Sequence, residues 1–402
     1  MMTRGRLVFI GVSLLTVALL ATGTMWAANQ RAKDDGSDSL YKYLAVFTEV
    51  FSLVNRAYVD ELDSESLVTG ALEGTLDALD PFALLIPPGS LDTYETVNAV
   101  GHSHSGMIVL KERGVAYIVT VVPGSPAEDA GLESQQILSA VNGERTRQMS
   151  LLDIQALLAG DPGTTLEIER LDQGQKETVE LTLGEYPRPA IELRAERGVA
   201  VLRLPTIDAE TAADVATSLR TLTAENVVLP GLEQTDKLVL DLRGTAGGDP
   251  PHAYRIADLF TQGDFGALQR RGESVVAYSG DEAPLWTGEI AVLMDRGTQG
   301  PAEVLASILQ QSVDASLVGV FSFGHAGRST LVKLSNGSSL QLTDAFYTGP
   351  DLEPIHEGLE PDVKVRPNVF GEEDPTADPI LEAGLDHLLD ETEDEDEERQ
   401  AA

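Results

Sequence analysis

The 402 residues carry 65 Asp and Glu against 28 Lys and Arg, a formal net charge of -37, with 42% hydrophobic residues, 23% charged residues and no Cys. Length and apolar content fit a globular chain of roughly two to four domains. The charge argues against nucleic acid or an anionic lipid surface as a partner, since both are held through clustered Lys and Arg, and the missing thiol excludes Cys nucleophiles, thiolate metal sites and disulfides.

Residues 1–30 open with Arg4 and Arg6 and continue as an apolar run from Leu7 to Ala28, about long enough to cross a bilayer as a helix. They read as a signal peptide or membrane anchor. Met25 and Trp26 disturb the small-residue pattern that cleavage needs, which favours the anchor. The chain beyond is then extracytoplasmic, in the periplasm and held at the inner membrane. Residues 31–100 begin with the polar linker Ala32–Ser39 and continue as a helical region. Leu44, Phe47, Phe51 and Val54 recur at helical spacing, and a second helix in ESLVTGALEGTLDALDP stops at Pro81. The apolar face fits an intramolecular core first and a homodimer surface second.

Over 101–185 the pattern changes to short strands and turns. PGSPAEDAGL (Pro123–Leu132) and VNGE (Val141–Glu144) stand in register over several elements, and this stretch resembles a PDZ domain. Gln135-Gln136 replaces the usual Gly-Asp. The resemblance implies a groove near Ser105, Gly106, Met107 and Ile108, where an extended peptide end adds as a strand and backbone N–H groups receive its carboxylate. His102 and His104 alternate at strand spacing, and without a third ligand a surface role is preferred to a metal site. No metal and no cofactor are expected.

From 186 to 370 strands and helices alternate. GVAVLRLP (198–205), KLVLDLRG (237–244), GEIAVLMD (288–295) and ASLVGVFSF (315–323) are near-continuous apolar runs, with helical segments at Ala209–Ala224, His252–Phe260 and Pro301–Val313 between them. The fold class is multi-domain α+β: N-terminal helices, a PDZ domain and an α/β layered core. Asp241 and Asp295 end buried strands and read as turn or cap residues. Residues 371–402 are acidic, ending in DETEDEDEERQAA, and read as a disordered tail.

DLRGTAGGDP (Asp241–Pro250), VLMDRGTQGPAEV (Val292–Val304), GVFSFGHAGRSTL (Gly319–Leu331), SNGSSLQLTDAFYTGP (Ser335–Pro350) and GLEPDVKV (Gly358–Val365), preceded by YVDEL and LDPF, follow one another as in the C-terminal processing peptidases, or tail-specific proteases. The chain resembles that family over about 45–365. Its active members use a Ser-Lys dyad, with Ser in S-A-S-A-S-E, Lys in F-G-K-G and a Gln four residues beyond. A neutral Lys takes the hydroxyl proton while backbone N–H groups stabilise the oxyanion. The resemblance lays the nucleophile on Gly300, the Lys on His325, the Gln on Ser329, and the two oxyanion donors on Gly244 and Pro301. Pro has no N–H to donate.

The reading that follows is an exported pseudoprotease that holds peptide or protein C-termini through its PDZ groove, or partners an active protease or envelope protein. The alternative is an active serine peptidase with a rearranged site, in which His325 serves as base for Thr298, Ser322 or Ser329.

Overall fold

The computed structural model describes residues 41–99, 104–172, 174–224, 229–232, 235–366 and 377–401; the apolar run Leu7–Ala28 and His102 lie outside them. Among the described residues, no helix is long and apolar enough to cross a membrane. Two compact units divide the chain at residue 71.

In the first unit, α1 (41–57) is helical as its apolar spacing predicts, and α2 (Ser64–Asp77) begins there. Among the described residues the apolar face of α1 is not covered as expected of a core: Leu44, Phe47 and Val54 are exposed, and Phe47 stacks on Phe51. Periodicity identifies such a face but not what covers it.

The second unit starts with β1 (Leu84–Ile86) and α3 (Leu91–Ala99). An antiparallel sheet follows, of β2 (Met107–Glu112), β3 (Val115–Val121), β4 (Ile137–Val141), β5 (Glu144–Arg145), β6 (Thr165–Asp172) and β7 (Gln175–Thr182), in the order β2-β3-β4-β6-β7 with β5 against β4. Two helices serve it. In α4 (Pro126–Asp129), Ser125 caps the Glu128 N–H and Pro126 takes the first helical position, where an N–H has no partner to lose. In α5 (Leu151–Leu158), Ser150 and Asp153 form a reciprocal capping box. Met107, Val109, Ile118, Leu138, Ile154 and Leu158 meet inside.

The Gln135 substitution has a visible cost, because its φ is 69°, the left-handed conformation that glycine adopts freely. Gln135→Gly is expected to raise stability by up to about 1 kcal/mol, the relieved strain partly offset by a more flexible unfolded chain. Urea unfolding would check this, and a destabilised variant would show that the Gln side chain contributes more than the strain removes.

The layered core is a six-stranded sheet of β8 (Glu192–Glu196), β9 (Val199–Arg203), β10 (Lys237–Asp241), β13 (Glu289–Met294), β14 (Ser316–Gly319) and β17 (Val363–Lys364), ordered β17-β14-β13-β10-β9-β8. All pairs are parallel except β8 with β9. Continuous apolar runs suit strands covered on both faces. Leu238 and Leu240 pack towards α6 (Thr211–Leu222), α7 (Pro251–Ala257) and α8 (Pro301–Val313), while Val239 packs with Leu381, Leu385 and Leu388 of α9 (Pro379–Ala401).

That last helix corrects the expectation of a disordered tail from 371. Its leucines at 381, 385 and 388 return to one face every turn, and each buried leucine contributes about 1.5–3 kcal/mol. The acidic composition hides this stripe. A third sheet was also not anticipated: β11 (Gly263–Arg270), β12 (Glu273–Gly280), β15 (Gly327–Lys333) and β16 (Ser339–Tyr347) pair antiparallel with one another and with β1.

Candidate functional site

Strands β10, β13 and β14 end on one edge of the parallel sheet, and the loops after them, residues 242–250, 295–300 and 320–325, meet there. This is where open α/β sheets place their sites. The Asp295 carboxylate joins the first two loops: its Oδ1 accepts the Gly244 N–H and the Gly297 N–H, both at 2.9 Å. Thr298 donates its hydroxyl to Leu242 O at 2.9 Å and accepts the Asp295 N–H at 3.0 Å. A Cβ at Gly297 would stand 2.9 Å from Gly244 Cα, so only glycine allows this approach.

Helix α8 starts from Gly300, whose φ of 60° and ψ of -112° an L side chain rarely adopts, and Pro301 is its first helical residue. Two residues on, Glu303 is wholly buried. Its carboxylate accepts four donors: Gly300 N at 3.0 Å, Ser322 Oγ at 2.5 Å, Gly324 N at 2.6 Å and His325 N at 2.9 Å. Burial pushes the carboxyl pKa above its ordinary value, and these donors pull it back. One side chain therefore fixes the head of α8 to the third loop. A Cβ at position 300 would lie 3.8 Å from His325 O.

The His325 ring stacks on Phe82, with centroids 3.9 Å apart, and meets Phe346 edge-on at 5.6 Å. Its Nε2 is 3.4 Å from Thr343 Oγ1. Burial pushes its pKa down to about 4, against an upward pull from Asp80, so the ring is neutral at pH 7. From the neighbouring sheet, Thr120 on β3 donates to Gly244 O at 2.7 Å, and Ile108 on β2 packs beside Gly247.

Residues 198–365 match peptidase family S41, and residues 117–170 match a PDZ domain. The chain thus combines a region that matches peptidase family S41 with one that matches a PDZ domain. It is similar to the carboxyl-terminal-processing protease of Synechocystis sp., 28% identical over 372 residues and 84% of each chain. It is also similar to the carboxy-terminal processing protease CtpA of Bacillus subtilis, 25% identical over 358 residues, 87% of this chain and 74% of the relative. Among solved structures, the photosystem II D1 C-terminal processing protease superposes with a TM-score of 0.63 at 25% identity, covering 82% of this chain and 94% of that one.

The structure brings together Gly300, Pro301, His325 and Gly244, four of the five positions onto which the resemblance laid the catalytic groups. Ser329 is exposed on β15, with Gln341 Nε2 at 3.4 Å from its hydroxyl. Of the hydroxyls considered for a rearranged site, Thr298 is bonded to Leu242 O, and Ser322 donates to Glu303 while accepting the Leu359 N–H at 2.7 Å. The ring of His325 faces Thr343 instead. Asp241 and Asp295 hold turns as read from sequence: Asp241 accepts Arg243 N and pairs with Arg243 and Arg203.

Of the PDZ residues, Ser105 and Gly106 form the buried turn into β2, where Ser105 Oγ accepts the Met107 N–H at 3.2 Å, and Met107 lies in the domain core. Ile108 faces the Gly247 loop. His104 places Nδ1 at 2.7 Å from Gly160 O. Sequence reasoning missed Glu303 as the hub of the site; the available signal was a lone carboxylate inside the apolar helix PAEVLASIL.

The low His325 pKa has a sign that can be worked through. Its folded value, about 4, lies below the ordinary 6.5, so between those values the unfolded chain binds more protons. The resulting stability is complete above about pH 6.5 and is lost as pH falls towards 4, by roughly 3 kcal/mol in all. His325→Phe is expected to lose that component. Unfolding curves for both proteins between pH 4 and 7 would check it, and parallel pH profiles would count against a buried neutral ring.

Proposed function

We propose that this chain is catalytically silent and works by binding polypeptide C-termini. The observation that carries the reading is the turn at the head of α8. Gly300 supplies no hydroxyl, Pro301 supplies no N–H, and the Gly244 N–H already points at Asp295. The hydrogen bonds of Thr298 and Ser322 to protein partners disfavour a substitute nucleophile. The PDZ match and the place of β2 at the end of its sheet among the described residues support peptide capture by strand addition.

The same proposal takes residues 1–30 as an uncleaved anchor that holds the chain at the outer face of the inner membrane, supported by Arg4, Arg6 and the run Leu7–Ala28. Its partners are protein C-termini presented there, including those of an active protease or an envelope protein, with the exposed face of α1 available to a second copy.

The test is incubation of the full chain, in mild detergent, with unstructured peptides, followed by mass spectrometry and calorimetry. Intact peptides bound with a dissociation constant on the order of micromolar are expected. Cleavage that disappears with Thr298→Ala, Ser322→Ala or Ser329→Ala would establish the rearranged peptidase instead.

A further inference from the structure

Between β3 and the His325 loop lies a cleft of about 1020 Å³, within the size range of ligand sites. Tyr117 from the PDZ sheet lines one side; Phe323, His325, Phe346 and His356 line the other. The rings form a continuous wall. His325 meets Phe346 at 5.6 Å, Phe346 meets His356 at 5.7 Å, and Phe82 closes the back of His325 at 3.9 Å.

The charged groups in this cleft are unequally engaged. Asp80 accepts the Phe82 N–H at 2.8 Å, and Glu112 lies 3.6 Å from Arg113. Arg296, in the turn between β13 and α8, lines the cleft and is exposed, and it has no hydrogen bond or ion pair with any described residue. A guanidinium left unpaired beside an aromatic wall, in a chain of net charge -37, is complementary to a ligand with one carboxylate and one large apolar group.

We propose that this cleft takes the last residue of an extended peptide ending in an aromatic or large aliphatic side chain. Arg296 pairs with the terminal carboxylate, and the wall of Phe323, His325 and Phe346 takes the side chain. The proposal rests on the reading that the chain binds C-termini, and it moves the reading of the terminal residue from the PDZ loop at Ser105–Gly106 to the vestigial peptidase site.

The experiment titrates the full chain with three fluorescent decapeptides that end in Phe carboxylate, Phe amide or Ala carboxylate. A fourth peptide, ending in p-benzoylphenylalanine carboxylate, is photocrosslinked and the attachment points are mapped. Arg296→Gln is expected to weaken the Phe carboxylate peptide by about ten- to a hundredfold and to leave the Phe amide peptide unchanged. Phe346→Ala is expected to abolish the preference for Phe over Ala. Crosslinks should fall on residues 296 and 323–346. Tight binding that is insensitive to both substitutions, with crosslinks at 105–108, would overturn the cleft proposal and leave the PDZ reading standing. Binding of none of the peptides would remove both. Arg296 is exposed and makes no hydrogen bond or ion pair with a described residue, so Arg296→Gln is expected to melt as the unaltered chain does, and Phe346→Ala is checked in the same way.

Discussion

Glu303→Ala is expected to lower the stability of the S41-matching region by about 4 kcal/mol. The substitution strands the N–H groups of Gly300, Gly324 and His325 and the hydroxyl of Ser322 in a site without exposure. Each buried donor left without an acceptor costs about 1–3 kcal/mol. The upper figures do not simply add, because the loop at 320–325 can relax outward. Glu303→Gln keeps one accepting oxygen and turns an amide donor towards the other pair of donors, so a loss of about half that size is expected. Urea titration followed by tryptophan fluorescence is a suitable measurement, since Trp286 is buried in this core. A loss below about 1 kcal/mol for the Ala variant would mean that the four bonds do not hold the site together.

The second large effect concerns rate. Hydrolysis of an unstructured peptide by the unaltered chain is expected at the background level, and Gly300→Ser combined with His325→Lys is expected to stay within about tenfold of it. A lysine in the ring stack of Phe82 and Phe346 would be desolvated and held neutral, which suits a base. Pro301 would still present no N–H to the oxyanion, and Gly244 would still be bonded to Asp295. Adding Pro301→Ala is expected to raise the rate by roughly a hundred- to a thousandfold, the usual worth of one oxyanion donor. The measurement is release of a fluorophore from a quenched peptide, with active-site labelling by a serine-directed probe. Full activity in the double variant would show that the missing donor does not limit the chemistry.

Much of the α/β core was legible because its signals are local. Pro301–Val313 is helical over the whole span read from sequence, since Pro at the first turn and an apolar stripe behind it are properties of neighbouring residues. The strands around Val201, Val239, Val292 and Leu317 were legible for a related reason: burial on both faces leaves an uninterrupted apolar run. The antiparallel sheet of β11, β12, β15 and β16 was not, because its strands are half exposed and their pairings are set by partners as far apart as Leu84 and Gln341.

The sequence by itself determined the resemblance to an S41 peptidase region and a PDZ domain, because each is a matter of residue identity in a fixed order. That Gly300 carries no hydroxyl and Pro301 no N–H needs no coordinates. Only the tertiary structure decided what surrounds those positions. It brought Glu303 against the N–H groups of residues 324 and 325, set the Gly244 N–H on Asp295, placed Phe82 on the face of His325 and left Arg296 without an ion pair among the described residues, in a cleft with an aromatic wall. It also docked Leu381, Leu385 and Leu388 of a strongly acidic segment on the back of the sheet. The physical reason is common to all of these. Hydrogen bonds, ring stacking and burial depend on distances between residues remote in the chain, and chain order constrains such distances only after the strands have been assembled into sheets.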